Sequence, residues 1–224
     1  MRPTGSAALM LMLAMAGCGA LSGKEEFKPQ PVISAPPPLK QDVWQQIASS
    51  EDANRIRRLG TAWSTGLEEA RRAGFDNEIK AEGKLLDANT AQARPAPTPG
   101  SYSCRVIRLG KENGKGPAFQ KFKPFFCYVG VEGDLFTIVK QTGSQRPAGR
   151  LWEDDNPNRL IFLGTVAIGN EEEARAYGED PRRDTAGIFE RFAPFRWRLV
   201  IPFPQSGARL DVLELTPVAE QPPE

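Results

Sequence analysis

Arg196-Trp197-Arg198-Leu199-Val200-Ile201 reads as one extended segment with two unlike faces. Successive side chains of a strand point to opposite sides, so Trp197, Leu199 and Ile201 share one face while Arg196 and Arg198 share the other. The pattern repeats outward from this stretch. From Ser101 onward, runs rich in Val, Ile, Phe, Leu and Trp alternate with clusters of Gly, Asn and Asp. Candidate strands lie near 101–109, 124–131, 134–141, 147–153, 158–167, 186–192, 195–202 and 208–216. Glu132-Gly133-Asp134 has the composition of a tight hairpin, and Asp154-Asp155-Asn156-Pro157-Asn158 that of a turn. About eight strands at this spacing, without long helices between them, predict a mainly antiparallel β-barrel or strongly bent sheet over 101–217. Such a barrel either fills its interior with side chains or holds one ligand, and periodicity leaves both open.

Upstream the period changes. Pro95-Ala96-Pro97-Thr98-Pro99-Gly100 breaks the chain, so 95–100 is a linker and 41–94 a separate helical segment, which makes the fold class α+β. Helical patterning begins near Asp42. Ser49 and Asp52 have capping-box spacing, with Asp in place of the usual Glu or Gln. Ile56, Leu59, Trp63, Leu67 and Ala70 then draw one apolar stripe, which Gly74 ends, and a shorter helix is expected from Asp76 to Leu86.

Arg2 precedes an uncharged run from Ala7 to Met15 that ends in Ala16-Gly17-Cys18. This is the layout of a secretory signal, 1–17, too short to span a bilayer as a helix. Ala16-Gly17-Cys18 is similar to the end of a lipobox, with Met15 where Leu is usual, so Cys18 is the expected site of lipidation. The neighbouring Pro-rich stretch, 18–40, reads as an extended tether, and 218–224 as a flexible tail. The expected location is the bacterial cell envelope, anchored by lipid on Cys18 and facing the periplasm. Gly19, in place of Asp, favours the outer over the inner membrane. Two cysteines then remain outside the cytoplasm, Cys104 and Cys127, both in strand-like runs; a disulfide across neighbouring antiparallel strands is expected.

Without Arg2 the chain balances 28 basic against 28 acidic residues, which argues against nucleic acid as a partner. There is no histidine, so Ser-His-Asp and Cys-His catalysis and His-ligated zinc are excluded. No nucleophile elbow occurs, and Gly110-Lys111-Glu112-Asn113-Gly114-Lys115-Gly116 misses phosphate-loop spacing by one residue. Asp154, Asp155, Asn156 and Asn158 carry calcium-type oxygens but lack the EF-hand glycine and terminal Glu, so they read as a turn. A pair such as Asp184 and Glu190 is the sort of carboxylate couple a hydrolase would use. No catalytic residue, metal ligand or cofactor is assigned.

The most distinctive segment is Lys140 to Trp152, where Gly143 and Gly149 bracket polar residues. It reads either as a glycine-shaped loop with Arg146 paired to an acid, or as a rim gripping a polar or anionic ligand through Gln145, Arg146, Arg150 and Trp152. Tyr102-Ser103-Cys104-Arg105, Phe126-Cys127-Tyr128-Val129, Thr142-Gly143-Ser144-Gln145-Arg146, Gly149-Arg150-Leu151-Trp152, Phe162-Leu163-Gly164, Tyr177-Gly178, Glu190-Arg191 and Phe195 to Pro202 together resemble a family of alphaproteobacterial envelope proteins. That family is catalogued as domain of unknown function 4893, and the resemblance spans about Trp44 to Pro217. It implies no activity, so no residue role is carried over. The expected function is a non-enzymatic module that binds an envelope protein, lipid or glycan partner through the barrel mouth or loop rims. A carboxylate-dependent hydrolase and a purely structural envelope component are the alternatives.

Overall fold

The computed structural model of the chain describes residues 43–169, 171 and 174–218. The signal segment, Cys18, the tether to residue 40 and residues 219–224 of the tail lie outside the described residues. Nine strands form one antiparallel sheet: β1 (Gly100–Leu109), β2 (Phe119–Lys121), β3 (Phe125–Glu132), β4 (Leu135–Lys140), β5 (Gln145–Glu153), β6 (Arg159–Ile168), β7 (Asp184–Ala193), β8 (Arg196–Pro202) and β9 (Leu210–Pro217). The sheet closes on itself where β1 pairs with β9, from Tyr102 opposite Pro217 to Leu109 opposite Leu210. β1 and β3–β9 thus make an eight-stranded up-and-down barrel, with the eight expected strands in sequence order. β2 is the addition. It pairs with β1 at Ile107–Leu109, beyond Cys104, where the β1–β3 pairing stops. Three residues between Pro117 and Pro124 are too few to display a period.

Side-chain alternation divides the barrel into an inside and an outside. Inward residues, among them Tyr102, Val129, Ile138, Phe162, Phe189, Trp197 and Leu199, pack one end solid. Tyr102 meets Trp197 edge-on, with ring centroids 5.9 Å apart. Cys104 and Cys127 are bonded within this packing, their Cα atoms 6.0 Å apart. Cys127 lies opposite Tyr102 and Cys104 opposite Phe125, so the bond runs diagonally between the neighbouring strands. Curvature depends on two facing glycines, Gly149 and Gly164. A Cβ on Gly164 would lie 2.3 Å from the Ala148 carbonyl and 2.6 Å from the Phe162 ring.

Outside, helices cover the wall from β5 through β9 to β1: α1 (Val43–Ile47), α2 (Ser50–Arg57), α3 (Leu59–Arg72), α4 (Asp76–Glu82) and a 3-10 turn, Gly83–Leu86. The single expected stripe is bent. The chain leaves helical geometry at Arg58 (φ −91°, ψ 14°), whose guanidinium sits 4.3 Å from the Phe203 ring centre. Ile56 packs against Ile161 and Ile188, whereas Trp63 and Ala70 join Ile107, Leu109 and Val212. One straight helix would not follow the barrel's curved wall between these clusters. α3 makes its close approach through small residues, Ala62, Gly66 and Ala70, one turn apart; a Cβ on Gly66 would be 3.1 Å from the Leu109 Cβ. Gly74 ends α3 with φ +93°, and Phe75 N–H bonds Ala70 O while Gly74 N–H bonds Arg71 O, a Schellman closure.

Ion pairs bind the helical layer to the barrel. Glu82 accepts from Arg105 at 2.6 Å and from Lys121 at 2.6 Å. Arg105 also reaches Glu214 at 2.5 Å, and Glu214 accepts from Arg196 Nε at 2.9 Å. Five charges so connect β2, α4, β1, β9 and β8 across the closing seam. Arg198, fully buried, donates through Nε to Glu190 (2.8 Å) and through Nη1 to the carbonyls of Lys84, Leu85 and Asp87 (3.2, 3.0 and 2.8 Å). It thereby adds a donor at the end of the 3-10 turn, where Asp87 N–H closes back on the Lys84 carbonyl and Thr90 Oγ1 donates to Lys84 and Asp87.

Candidate functional site

The inward row does not continue solid to the other end. There the barrel opens into a cup of about 520 Å³. Its walls are Val106, Phe125, Pro147, Val166, Ile201 and Leu213, from six different strands. Each lies two residues along its strand from another inward position: Val106 from Cys104, Phe125 from Cys127, Ile201 from Leu199. The cup is therefore the last layer of the same alternation, left unfilled because no large side chain reaches across it. Its size falls within the range of small-molecule sites, roughly 300–1,000 Å³.

Polar groups stand on the same surface: Arg108, Lys123, Lys140, Thr142, Gln145 and Asp211. Asp211 is gripped by Arg108, Nε to Oδ1 and Nη2 to Oδ2, both at 2.7 Å. Burial pushes the Asp211 carboxyl up, against the opposing pull of Arg108. Lys140 is half-buried, its ammonium 4.2 Å from the centre of the Phe125 ring. Burial, with the Arg146 cation as a smaller cause, pushes Lys140 down, and among the described residues no acid counters them.

Of the four residues read as a binding rim, only Gln145 lines the cup. Arg146, Arg150 and Trp152 are even-numbered on a strand whose odd positions face inward, so they project outside. Among the described residues, Arg146 pairs with no acid. It donates to the carbonyls of Gly143 (2.9 Å), Gly169 (2.5 Å) and Glu171, bracing the β4–β5 lip against the β6–β7 connection. Arg150 makes a two-pronged surface pair with Glu132, at 3.0 and 2.8 Å. Trp152 packs outside against the cluster that holds Trp44 and Ile56. The cup residues Phe125, Lys140, Val166, Ile201 and Leu213 were not read from the sequence as a binding surface. The usable signal was parity: each shares its strand's face with a buried inward residue.

The acids sort elsewhere. Asp184 and Glu190 sit at opposite ends of β7, about 20 Å apart by strand rise. Asp184 accepts from Gly178 N–H at 3.1 Å, and Glu190 pairs with Arg198. Burial raises Asp184, with Asp52 and Asp180 adding repulsion. These three acids form a bonded corner, where Tyr177 O–H donates to Asp52 (2.6 Å) and Arg182 holds Asp180 (3.1 Å). Asp154 accepts from Trp44 Nε1 (3.0 Å) and Arg159 (2.5 Å). Among the described residues, no group of three or more metal-ligating acids or cysteines converges. In the cup, the one acid is already occupied by Arg108.

A family model described as "Domain of unknown function (DUF4893)" matches residues 44–215. No curated protein and no solved structure matches the chain.

Proposed function

We propose, for a chain that belongs to the DUF4893 family, that it is a lipid-anchored envelope protein whose barrel mouth binds a small ligand without chemical change. The observation that carries this reading is the cup itself: one end of the barrel is packed to completion, and the other keeps about 520 Å³ open behind apolar walls. A barrel serving only as structure would gain stability by filling that layer, since buried methylenes contribute about 0.8 kcal/mol each. A hydrolytic reading finds little support in the cup, because among the described residues it carries one acid and that acid is bound to Arg108.

Lipidation at Cys18 and an envelope location are part of this proposal and rest on the signal layout. Trp44, near the start of the described chain, bonds Asp154 at the packed end of the barrel. The test is native mass spectrometry of the full-length chain carrying Cys18→Ala, recovered from cells without detergent. A small-molecule adduct is expected, and Val166→Trp, which fills the cup, should remove it. Unliganded protein throughout, or an adduct that survives Val166→Trp, would sink the reading.

A further inference from the structure

The cup's wall and its charges are not matched to the same ligand chemistry unless that ligand is two-ended. The apolar walls exclude a ligand that is polar throughout, and among the described residues Thr142 and Gln145 are the only neutral polar side chains lining the cup, too few for a sugar's hydroxyls. The charges are lopsided. Arg108, Lys123 and Lys140 face one acid, Asp211, and Arg108 already spans both of its oxygens. Lys123 is exposed and answered by water, but Lys140 is half-buried against the Phe125 ring. A cation withdrawn from water without a counter-ion is costly, and an aromatic face offsets only part of that cost. An anion delivered to Lys140 would supply the rest.

Resting on the cup reading above, we infer that the ligand is a single-chain amphipathic anion of the fatty-acid type, its carboxylate at Lys140 and its alkyl chain against Val106, Val166, Ile201 and Leu213. Size agrees. A cavity of about 520 Å³ holds about seventeen groups the size of a water molecule, enough for one medium-length acyl chain and its head and too few for a two-chain phospholipid. The downward push that burial and Arg146 exert on Lys140 is relieved once a carboxylate arrives. Among the described residues, the charged groups sharing the cup with Lys140 are Arg108, Lys123 and Asp211, the last held by Arg108, and Arg146 adds a nearby cation from outside the wall, so the ligand supplies the missing negative charge.

The experiment is calorimetric titration of the full-length Cys18→Ala chain with dodecanoate, dodecan-1-ol and dodecylammonium. Dodecanoate is expected to bind one to one, about tenfold or more tighter than the alcohol, as a charge-assisted hydrogen bond provides, and dodecylammonium weakest of the three. Lys140→Met should erase the advantage of the acid over the alcohol, and Lys140→Arg should keep it. Equal binding of acid and alcohol, both lost in Val166→Trp, would overturn the anionic assignment while leaving the cup as a binding site. An unchanged acid preference in Lys140→Met would overturn the role of Lys140. Failure of all three probes to bind, with the native adduct still present, would overturn the fatty-acid assignment alone.

Discussion

Two residues show how single side chains hold this fold. Arg198 is a fully buried cation on an outward-facing position, and it is tolerated because Glu190 and three carbonyls of the 3-10 region surround it. Removing it strands a buried carboxylate and takes one donor from each of those carbonyls. Arg198→Met should therefore destabilise the protein by about 3–5 kcal/mol in urea unfolding. A loss below 1 kcal/mol would mean that the helical layer does not depend on this contact. Gly164 makes the opposite point, since its contribution is an absent atom. The Phe162 ring and the Ala148 carbonyl occupy the space a Cβ needs, so Gly164→Ala should cost about 1–3 kcal/mol by overpacking.

At the scale of elements, the entry to α2 is a capping arrangement completed from a distance. Ser49 Oγ accepts from Asp52 N–H at 3.1 Å, as the spacing predicts. The reciprocal bond expected of the third residue is made by Tyr177, whose hydroxyl accepts from Ser49 N–H (3.0 Å) and donates to Asp52. An Asp side chain is one methylene shorter than the usual Glu, and the tyrosine bridges the difference. Burial, and then the bond to Asp52, push the Tyr177 hydroxyl from its ordinary 10.0 up to about 12. The folded state thus holds this proton more tightly than the unfolded state. The stabilisation is complete below pH 10 and is lost as pH rises toward about 12. The stability gap between wild type and Tyr177→Phe should narrow between pH 8 and pH 12 in urea titrations, and a constant gap would contradict the assignment. The disulfide acts on a different element pair, β1 and β3. Replacing Cys104 and Cys127 together by Ala opens a loop of 23 residues in sequence and should lower stability by about 3 kcal/mol.

The elements differed in how openly the sequence declared them. All eight barrel strands were legible as runs rich in Val, Ile, Phe, Leu and Trp set between clusters of Gly, Asn and Asp. β2 was hidden by its length, and the break at Arg58 by an apolar stripe that runs on through it unbroken. Ala62 and Gly66, which let α3 touch the barrel, carry no hydrophobic signal because their role is to be small.

For the whole molecule, the decisive property is that one closed sheet is finished at one end and open at the other. Composition and motif could not disclose this, because filling depends on which residue of each pair faces inward and on how far the helical layer extends. The rim reading shows the limit: Gln145, Arg146, Arg150 and Trp152 were grouped by chemistry, whereas strand parity admits Gln145 alone to the cup. Parity also directs Lys140 and Phe125 inward together, which no local motif announces. The chain begins its described course at the packed end, through Trp44 and Asp154, and β1 starts and β9 finishes there as well. The β4–β5 loop with Gly143, braced by Arg146 of β5, borders the opposite end, where a ligand would enter.

The central claim is that this open end is occupied in the cell. Its most direct test is in-cell photocrosslinking from a single diazirine amino acid, placed at Gln145 on the cup wall or at Tyr128 on the uncovered outer face of β3. The account predicts a small-molecule adduct at Gln145, lost when Val166→Trp is added, and none of that mass at Tyr128. An unmodified Gln145 position, or the same adduct from both positions, would contradict it.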